Sequence, residues 1–129
     1  MGNLERKIQS EIRLSIPQMG AVAFRANIGQ AWTGSDVNRL PDGTVIIRNA
    51  RPFNSGLPAG FSDLFGISNK GQFFAIEVKA PRGIVSDHQQ HFLDFISAKG
   101  GLAGVARSVE DAKYILEGCG TLGRGTSAY

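Results

Sequence analysis

Two carboxylates and a lysine near the middle of the chain have the residue types and spacing of a hydrolytic metal site. Glu77 and Lys79 are two residues apart in an apolar run, so a β-strand would point both side chains to one face. The turn-forming segment 68–71 separates this run from a second one that begins after Asp63. We therefore predict two antiparallel neighbouring strands that bring Asp63 beside Glu77.

Clustered oxygen ligands suit a hard divalent cation such as Mg²⁺, which usually shares its site with water and substrate phosphate. We predict that Asp63, Glu77 and the backbone carbonyl of Val78 bind the metal, which polarises a phosphate and lowers the pKa of its water. Lys79 would orient or deprotonate that water, or stabilise the developing charge. The alternative is a surface strand with an ordinary Glu–Lys ion pair, and the Glu-x-Lys spacing alone does not separate the two.

Gln89 and Glu5 are two further candidate site residues. Gln89 stands three residues after Ser86 at the start of a predicted helix, which is the spacing of a capping box. Its amide would cap that helix or hydrogen-bond the attacking water or Lys79, and the roles are compatible. Glu5 lies at the edge of the apolar stripe of the first predicted helix. A solvent-exposed first-turn glutamate is its favoured interpretation, and Glu11 competes for any inward role.

Hydrophobic spacing and cap signals predict the elements that must position these residues. Leu4 to Ile16 is predicted as an amphipathic helix that is capped by Asn3 and ended by Pro17. Together, the order of helix, strands, helix, strand and helix predicts an α/β fold. The remaining predicted elements are strands over 21–27, 44–49 and 102–107 and helices that open at Ser86 and Ser108.

The residues from Arg48 to Gly60 are predicted to form a loop rich in turn residues, within a long, partly irregular segment between two core strands, and such segments are often functional. Arginines in and around it have aromatic neighbours, a combination that suits phosphate and exposed-base contacts. Burial against the core is nevertheless the favoured interpretation of Trp32 and Phe53. The residues predicted to contact DNA are Arg25, Asn27, Arg48, Arg51 and Arg82.

Length and composition bound the class of protein. The chain has 129 residues, and no apolar run in it is long enough to span a bilayer. We predict one domain over 1–117 and a flexible tail over 118–129. The single cysteine, Cys119, cannot form an internal disulfide, which favours a reducing, intracellular setting. A formal charge of +3 and a pI near 9.4 are compatible with a polyanionic partner but do not require one.

The motifs taken together resemble one known family. Asp63, Glu77-Val78-Lys79 and Gln89 resemble the Asp, Glu-x-Lys and Gln signature of the PD-(D/E)xK nuclease superfamily, and in particular its virus-type replication-repair nuclease (VRR-NUC) family. Ser62 departs from the Pro that often precedes the Asp, and no residue of the insertion-like segment 36–58 can be matched. Flanking segments that are also similar to the family are Glu5 with Ile8-Gln9, Phe24 to Gly29, Gly60 before Asp63, and the strand and helix over 101–112.

The resemblance implies a restriction-endonuclease-like core, with a central mixed β-sheet flanked by helices, and Mg²⁺- or Mn²⁺-dependent cleavage of DNA. It also implies that compact members dimerise and cut branched DNA such as Holliday junctions. We therefore predict a homodimeric endodeoxyribonuclease, without a membrane partner, in the cytoplasm of a bacterial or virus-infected host cell. Its predicted catalytic residues are Asp63, Glu77, Lys79, Gln89 and Glu5.

Two alternatives to this function remain open from the sequence. One is a non-catalytic nucleic-acid-binding module of the same fold. Retention of Asp63, Glu77 and Lys79 argues against it, because a bare carboxylate pair would repel DNA. The other is a nuclease that acts on linear DNA or RNA, which shares the metal chemistry and differs only in its recognition surface.

Overall fold

The structure is a computed structural model that describes residues 2–27 and 31–118. Its contacts divide the chain into a core unit, 1–26 with 59–129, and a ribbon unit, 27–58. Ile28, Gly29 and all of the predicted tail except Gly118 lie outside the described residues, and the single-domain assignment stays a prediction. In chain order the elements are α1 (Asn3–Ser15), a 3₁₀ helix (Ile16–Met19), β1 (Val22–Arg25), β2 (Ala31–Thr33), β3 (Asp36–Arg39), β4 (Val45–Arg48), β5 (Arg51–Phe53), β6 (Leu64–Ile67), β7 (Phe73–Val78), α2 (Asp87–Ala98), β8 (Leu102–Ala106) and α3 (Val109–Leu116).

The core unit contains a four-stranded mixed sheet in the order β1-β6-β7-β8. β6 pairs antiparallel with both β1 and β7, and the predicted turn at 68–71 joins β6 to β7. β8 returns after α2 and pairs parallel with β7, with Val78 opposite Ala106. The parallel pair requires the helical crossover that α2 supplies.

Helices pack on both faces of this sheet. Ile12 of α1 and Ile115 of α3 join Ile76 and Val78 in one buried cluster. On the other face, a cluster that includes Phe92 of α2 forms against Ala75 and Ala103. The alternation of side chains along β7 thus serves two apolar layers, as expected for a central strand that is buried on both faces. The predicted α/β class, a mixed sheet flanked by helices, is confirmed.

The ends of the helices follow the predicted cap signals with one exception. Ser86 and Gln89 form the predicted capping box at α2, and Ser108 Oγ accepts a hydrogen bond from the Asp111 N–H at α3. The prediction that Asn3 caps α1 is wrong, because Asn3 is already helical and Gly2 precedes it without a side-chain cap. Within the described residues, no helix combines the length and the apolar character needed to cross a membrane.

The ribbon unit consists of two short antiparallel ladders, β2 with β5 and β3 with β4. The predicted Pro41-Asp42-Gly43 turn forms the tip, where the Thr44 N–H donates to Asp42 Oδ1 at 2.9 Å. Between the ladders, Asn49 adopts a positive φ of 50° and its Nδ2 donates to Ser35 Oγ at 3.0 Å. The segment was predicted as partly irregular with one strand over 44–49; that strand is confirmed as β4, whereas β2, β3 and β5 were not predicted.

The ribbon unit exposes nearly all of its side chains. From residue 31 to 58, only Gly34 and Ile47 are half-buried and every other residue is exposed. Trp32 and Phe53 retain 59% and 54% of their exposure, so the interpretation that they are buried against the core is wrong.

Candidate active site

The pairing of β6 with β7 brings Asp63 to Glu77. Leu64 pairs with Ile76 in this ladder, so the residues one step further out, Asp63 and Glu77, are neighbours on the opposite face of the sheet. Asp63 Oδ2 accepts a hydrogen bond from the Val78 N–H at 2.9 Å. The two carboxylates are therefore adjacent, as the strand spacing predicted.

The segment that leads into β6 is fixed by aromatic packing and by a glycine. The Phe61 ring lies 5.2 Å from the Phe65 ring and 4.8 Å from the Phe92 ring of α2 between centroids. Gly60 has a positive φ of 80°, and a Cβ there would collide with the His88 backbone in the first turn of α2. These contacts hold the approach to Asp63 against the start of α2.

Gln89, in the first turn of α2, serves the helix cap and the site at once. Its Oε1 accepts from the Ser86 N–H at 2.9 Å, which completes the capping box. Its Nε2 donates to Glu77 Oε2, also at 2.9 Å. The sequence predicted water or Lys79 as the inward partner, whereas the structure gives Glu77.

Lys79 follows β7 and shares the Glu77 carboxylate with Gln89. Its Nζ lies 3.8 Å from Glu77 Oε2, and the two side chains retain only 14% and 3% of their exposure. The alternative of an ordinary surface ion pair is therefore wrong, because both partners are largely buried.

Glu77 has an unusual protonation equilibrium. Burial, followed by the charge and the hydrogen bond of Asp63, raises its pKa from 4.5 to about 8. The positive charge of Lys79 opposes this rise, and the negative charge of Glu5 adds to it. A buried acid poised near neutral pH by specific neighbours is typical of functional sites.

Two polar residues of α1, Glu5 and Gln9, are at least half-buried. Glu5 is half-buried, and its negative charge raises the pKa of Glu77. The interpretation of Glu5 as solvent-exposed is therefore wrong, whereas Glu11 is exposed. Gln9 is buried one turn later with 3% exposure. Gln9 was not among the predicted site residues. A polar residue within the apolar stripe was the signal that it faces inward.

The donor set fits a divalent cation. Asp63 and Glu77 place two carboxylates close enough to disfavour double ionisation, and a bound cation would remove that penalty. Between residues 2 and 27 and between 31 and 118, no three His, Cys, Asp or Glu side chains are grouped so that they could hold a metal ion. Further ligands would have to be backbone, water or substrate oxygens, and the Val78 carbonyl stays a prediction.

The five residues predicted to contact DNA are all exposed but divide between the two units. Arg25 pairs with Leu64 at the start of β6, and Arg82 lies in the loop after Lys79. The other three, which are Asn27, Arg48 and Arg51, belong to the ribbon unit. Arg48 lies 3.7 Å from the Asp36 carboxylate, with both side chains exposed.

Comparison with known proteins gives one match. The family model of the VRR-NUC domain matches residues 6–110, which include Asp63, Glu77, Lys79 and Gln89, while Glu5 lies just before the matched region. None of the curated proteins that were compared matches the chain. Domains of this type usually use divalent metal ions. Because the match spans most of the chain, the protein belongs to the VRR-NUC family, a group of nuclease domains in the PD-(D/E)xK superfamily.

Proposed function

We propose that the protein is a metal-dependent endonuclease that hydrolyses phosphodiester bonds in branched DNA such as Holliday junctions. The observation that carries the proposal is the pair of half-buried Asp63 and buried Glu77, with the Lys79 ammonium 3.8 Å from Glu77, in a VRR-NUC domain. Two adjacent acids, one of them buried, repel each other when both are ionised, so their presence favours a functional role.

Each site residue then has a defined task. Asp63, Glu77 and the Val78 carbonyl would hold the cation, while Gln89 orients Glu77 through its hydrogen bond. Bound Mg²⁺ or Mn²⁺ supplies polarisation of the phosphate and a water of lowered pKa. Lys79 would orient the attacking water or stabilise the charge that develops on the phosphate. Glu5 adds negative potential that favours a cation in the site.

Exposed groups of both units are proposed to bind the DNA. Arg25, Asn27, Arg48, Arg51 and Arg82 offer donors for phosphate oxygens. A homodimer would present two sites to the two strands of a junction. The single cysteine in the sequence suits the reducing cytoplasm of a bacterial or virus-infected cell.

A cleavage assay tests this proposal. Labelled linear, flap and four-way-junction DNA are incubated with the wild type and with Asp63→Asn in Mg²⁺, Mn²⁺ or EDTA. We expect cutting that requires a divalent ion, favours the junction and is lost in Asp63→Asn. Junction DNA that stays intact under every metal condition would support the binding module, and equal cutting of linear DNA would support the broader nuclease.

Sedimentation with junction DNA tests the homodimer separately. We expect two protein chains on each junction. A complex with a single chain would contradict the dimer without affecting the assignment of the nuclease site.

A further inference from the structure

Arg107 ties together the loop that follows Lys79. Its Nη1 donates to the carbonyl oxygens of Ala80 at 2.6 Å, Gly83 at 2.9 Å and Pro81 at 3.3 Å. A guanidinium nitrogen that bonds three carbonyls of one short loop fixes the loop backbone rather than a single side chain.

The backbone of Arg107 is itself held in place. Its N–H donates to Asp111 Oδ2 at 2.9 Å in the first turn of α3. One residue earlier, the Ala106 carbonyl accepts from the Lys79 N–H at 3.1 Å, which continues the parallel pairing of β7 with β8. Arg107 thus reaches the loop from the end of β8, and the pairing of β8 with β7 fixes its position relative to Lys79.

The loop in turn confines the side chain of Lys79. The Gly83 N–H donates to the Ala80 carbonyl at 2.8 Å and closes a tight turn. A Cβ added at Gly83 would lie 3.3 Å from both Cβ and Cδ of Lys79, so the turn packs along the lysine stem. This packing is consistent with the low exposure of the Lys79 side chain, 14%.

We propose that Arg107 is a positioning residue that sets the Lys79 ammonium for the reaction. It holds the Gly83 turn against the lysine stem, which restricts where Nζ can point beside Glu77. Arg107 contacts no reacting atom, and its effect passes through the loop. The inference rests on the proposed nuclease function, in which Lys79 acts on the water or the phosphate.

Arg107→Met is compared with Arg13→Met, which removes the same charge from an exposed position on α1. We expect the single-turnover cleavage rate of Arg107→Met to fall at least about tenfold, since small misplacement of a catalytic group is costly. The dissociation constant for junction DNA in EDTA is expected to stay within about twofold of the Arg13→Met value. Arg107→Lys, which keeps donors for part of the loop, is expected to recover part of the rate.

Gly83→Ala tests the same connection without removing a charge. Its methyl group would press on the Lys79 stem at 3.3 Å, and we expect the same loss of rate with unchanged DNA binding. If both variants cleave at the Arg13→Met rate, or if the loss lies wholly in DNA affinity, the proposal is overturned.

Amine acetylation followed by mass spectrometry measures how accessible the Lys79 amine is, without a DNA-cleavage assay. We expect Lys79 to be acetylated slowly in the wild type and faster in Arg107→Met, with exposed Lys99 unchanged in both. An unchanged Lys79 rate in a folded Arg107→Met protein contradicts the positioning role. This outcome differs from failure of the nuclease proposal, in which wild-type protein leaves all DNA intact.

Discussion

The core unit buries a charged side chain of the site, whereas the ribbon unit exposes large apolar side chains. In the core unit, Glu77 is buried and is contacted by Gln89 and Lys79. In the ribbon unit, Trp32 and Phe53 remain more than half exposed. The fold therefore fixes the geometry of the site, whereas the ribbon leaves these aromatic side chains exposed to solvent.

The two units also differ in how much apolar burial stabilises them. A two-stranded ribbon is marginally stable by itself in water because it buries little apolar surface. From residue 31 to 58, no residue is fully buried. The site in the core unit is instead built on a sheet with helices packed on both faces, where Ile76 and Val78 have no exposure. Changes in the site should therefore affect chemistry, and changes in the ribbon should affect binding.

Lys79→Met should give the largest effect, on the chemical step. We expect single-turnover cleavage to fall by about 10²–10⁴-fold, as is usual when a group that handles a proton or a developing charge is lost. DNA affinity measured in EDTA should change little. Lys99→Met removes an exposed lysine from the same unit and serves as the control. A ribbon variant with an equal loss of rate would break the division between chemistry and binding.

Trp32→Ala should act on binding instead. Loss of one base-stacking aromatic is expected to weaken DNA binding by about 1–3 kcal/mol, with the rate at saturating DNA unchanged. Phe95→Ala removes a similarly exposed aromatic, 52%, from α2 and should leave affinity unaltered. Fluorescence anisotropy with labelled junction DNA measures both variants. Equal affinities for the two variants would count against the ribbon as a DNA-binding element.

Ser86→Ala and Gln89→Ala separate the cap of α2 from the site. Both break the capping box, and each should lower the free energy of unfolding by about 1 kcal/mol. Only Gln89→Ala also removes the hydrogen bond to Glu77, so only it should slow cleavage, by about tenfold. Urea unfolding and single-turnover rates are the measurements. A matching loss of rate in Ser86→Ala would mean that the cap itself controls the site.

The sequence predicted the strands of the core unit better than those of the ribbon unit, because only buried strands leave a hydrophobic pattern in the sequence. Apolar runs on either side of the 68–71 turn determine the register of β6 with β7, and hence the meeting of Asp63 and Glu77. Ribbon strands have three or four residues and no buried face, so the sequence predicted only β4, and no hydrophobic alternation marks the other three. The turn at the tip of the ribbon was also predicted, because it has a local chemical signature.

Details of the site depended on contacts between distant elements. The cap spacing predicted Gln89 at the start of α2, but its bond to Glu77 depends on how α2 packs against β7. The inward placement of Glu5 likewise depends on the packing of α1. No sequence motif identified Arg107, because its position beside the loop after Lys79 follows from the parallel register of β7 with β8.

The pH dependence of stability should also differ between the units. Glu77 binds its proton more tightly when folded, so its contribution to stability is fully present below pH 4.5 and is lost as the pH rises through about 8. In the ribbon, the Thr44 N–H lowers the pKa of Asp42, whose contribution is lost only in acid. We therefore expect the melting temperature in EDTA to fall between pH 5 and pH 8, and Glu77→Gln to flatten this fall. A slope that persists in Glu77→Gln would assign it to other groups.

The smallest expected effect concerns two serines. Ser62 is fully buried in the core unit, and its Oγ has no hydrogen-bond partner among the described residues. Ser35 Oγ in the ribbon accepts from Asn49. Because an unpartnered buried hydroxyl destabilises the folded state, Ser62→Ala should leave the free energy of unfolding unchanged or raise it by up to about 1 kcal/mol. Ser35→Ala should instead speed amide exchange in the ribbon without altering urea unfolding of the core. A clear destabilisation by Ser62→Ala would show that this hydroxyl finds a hydrogen-bond partner in solution.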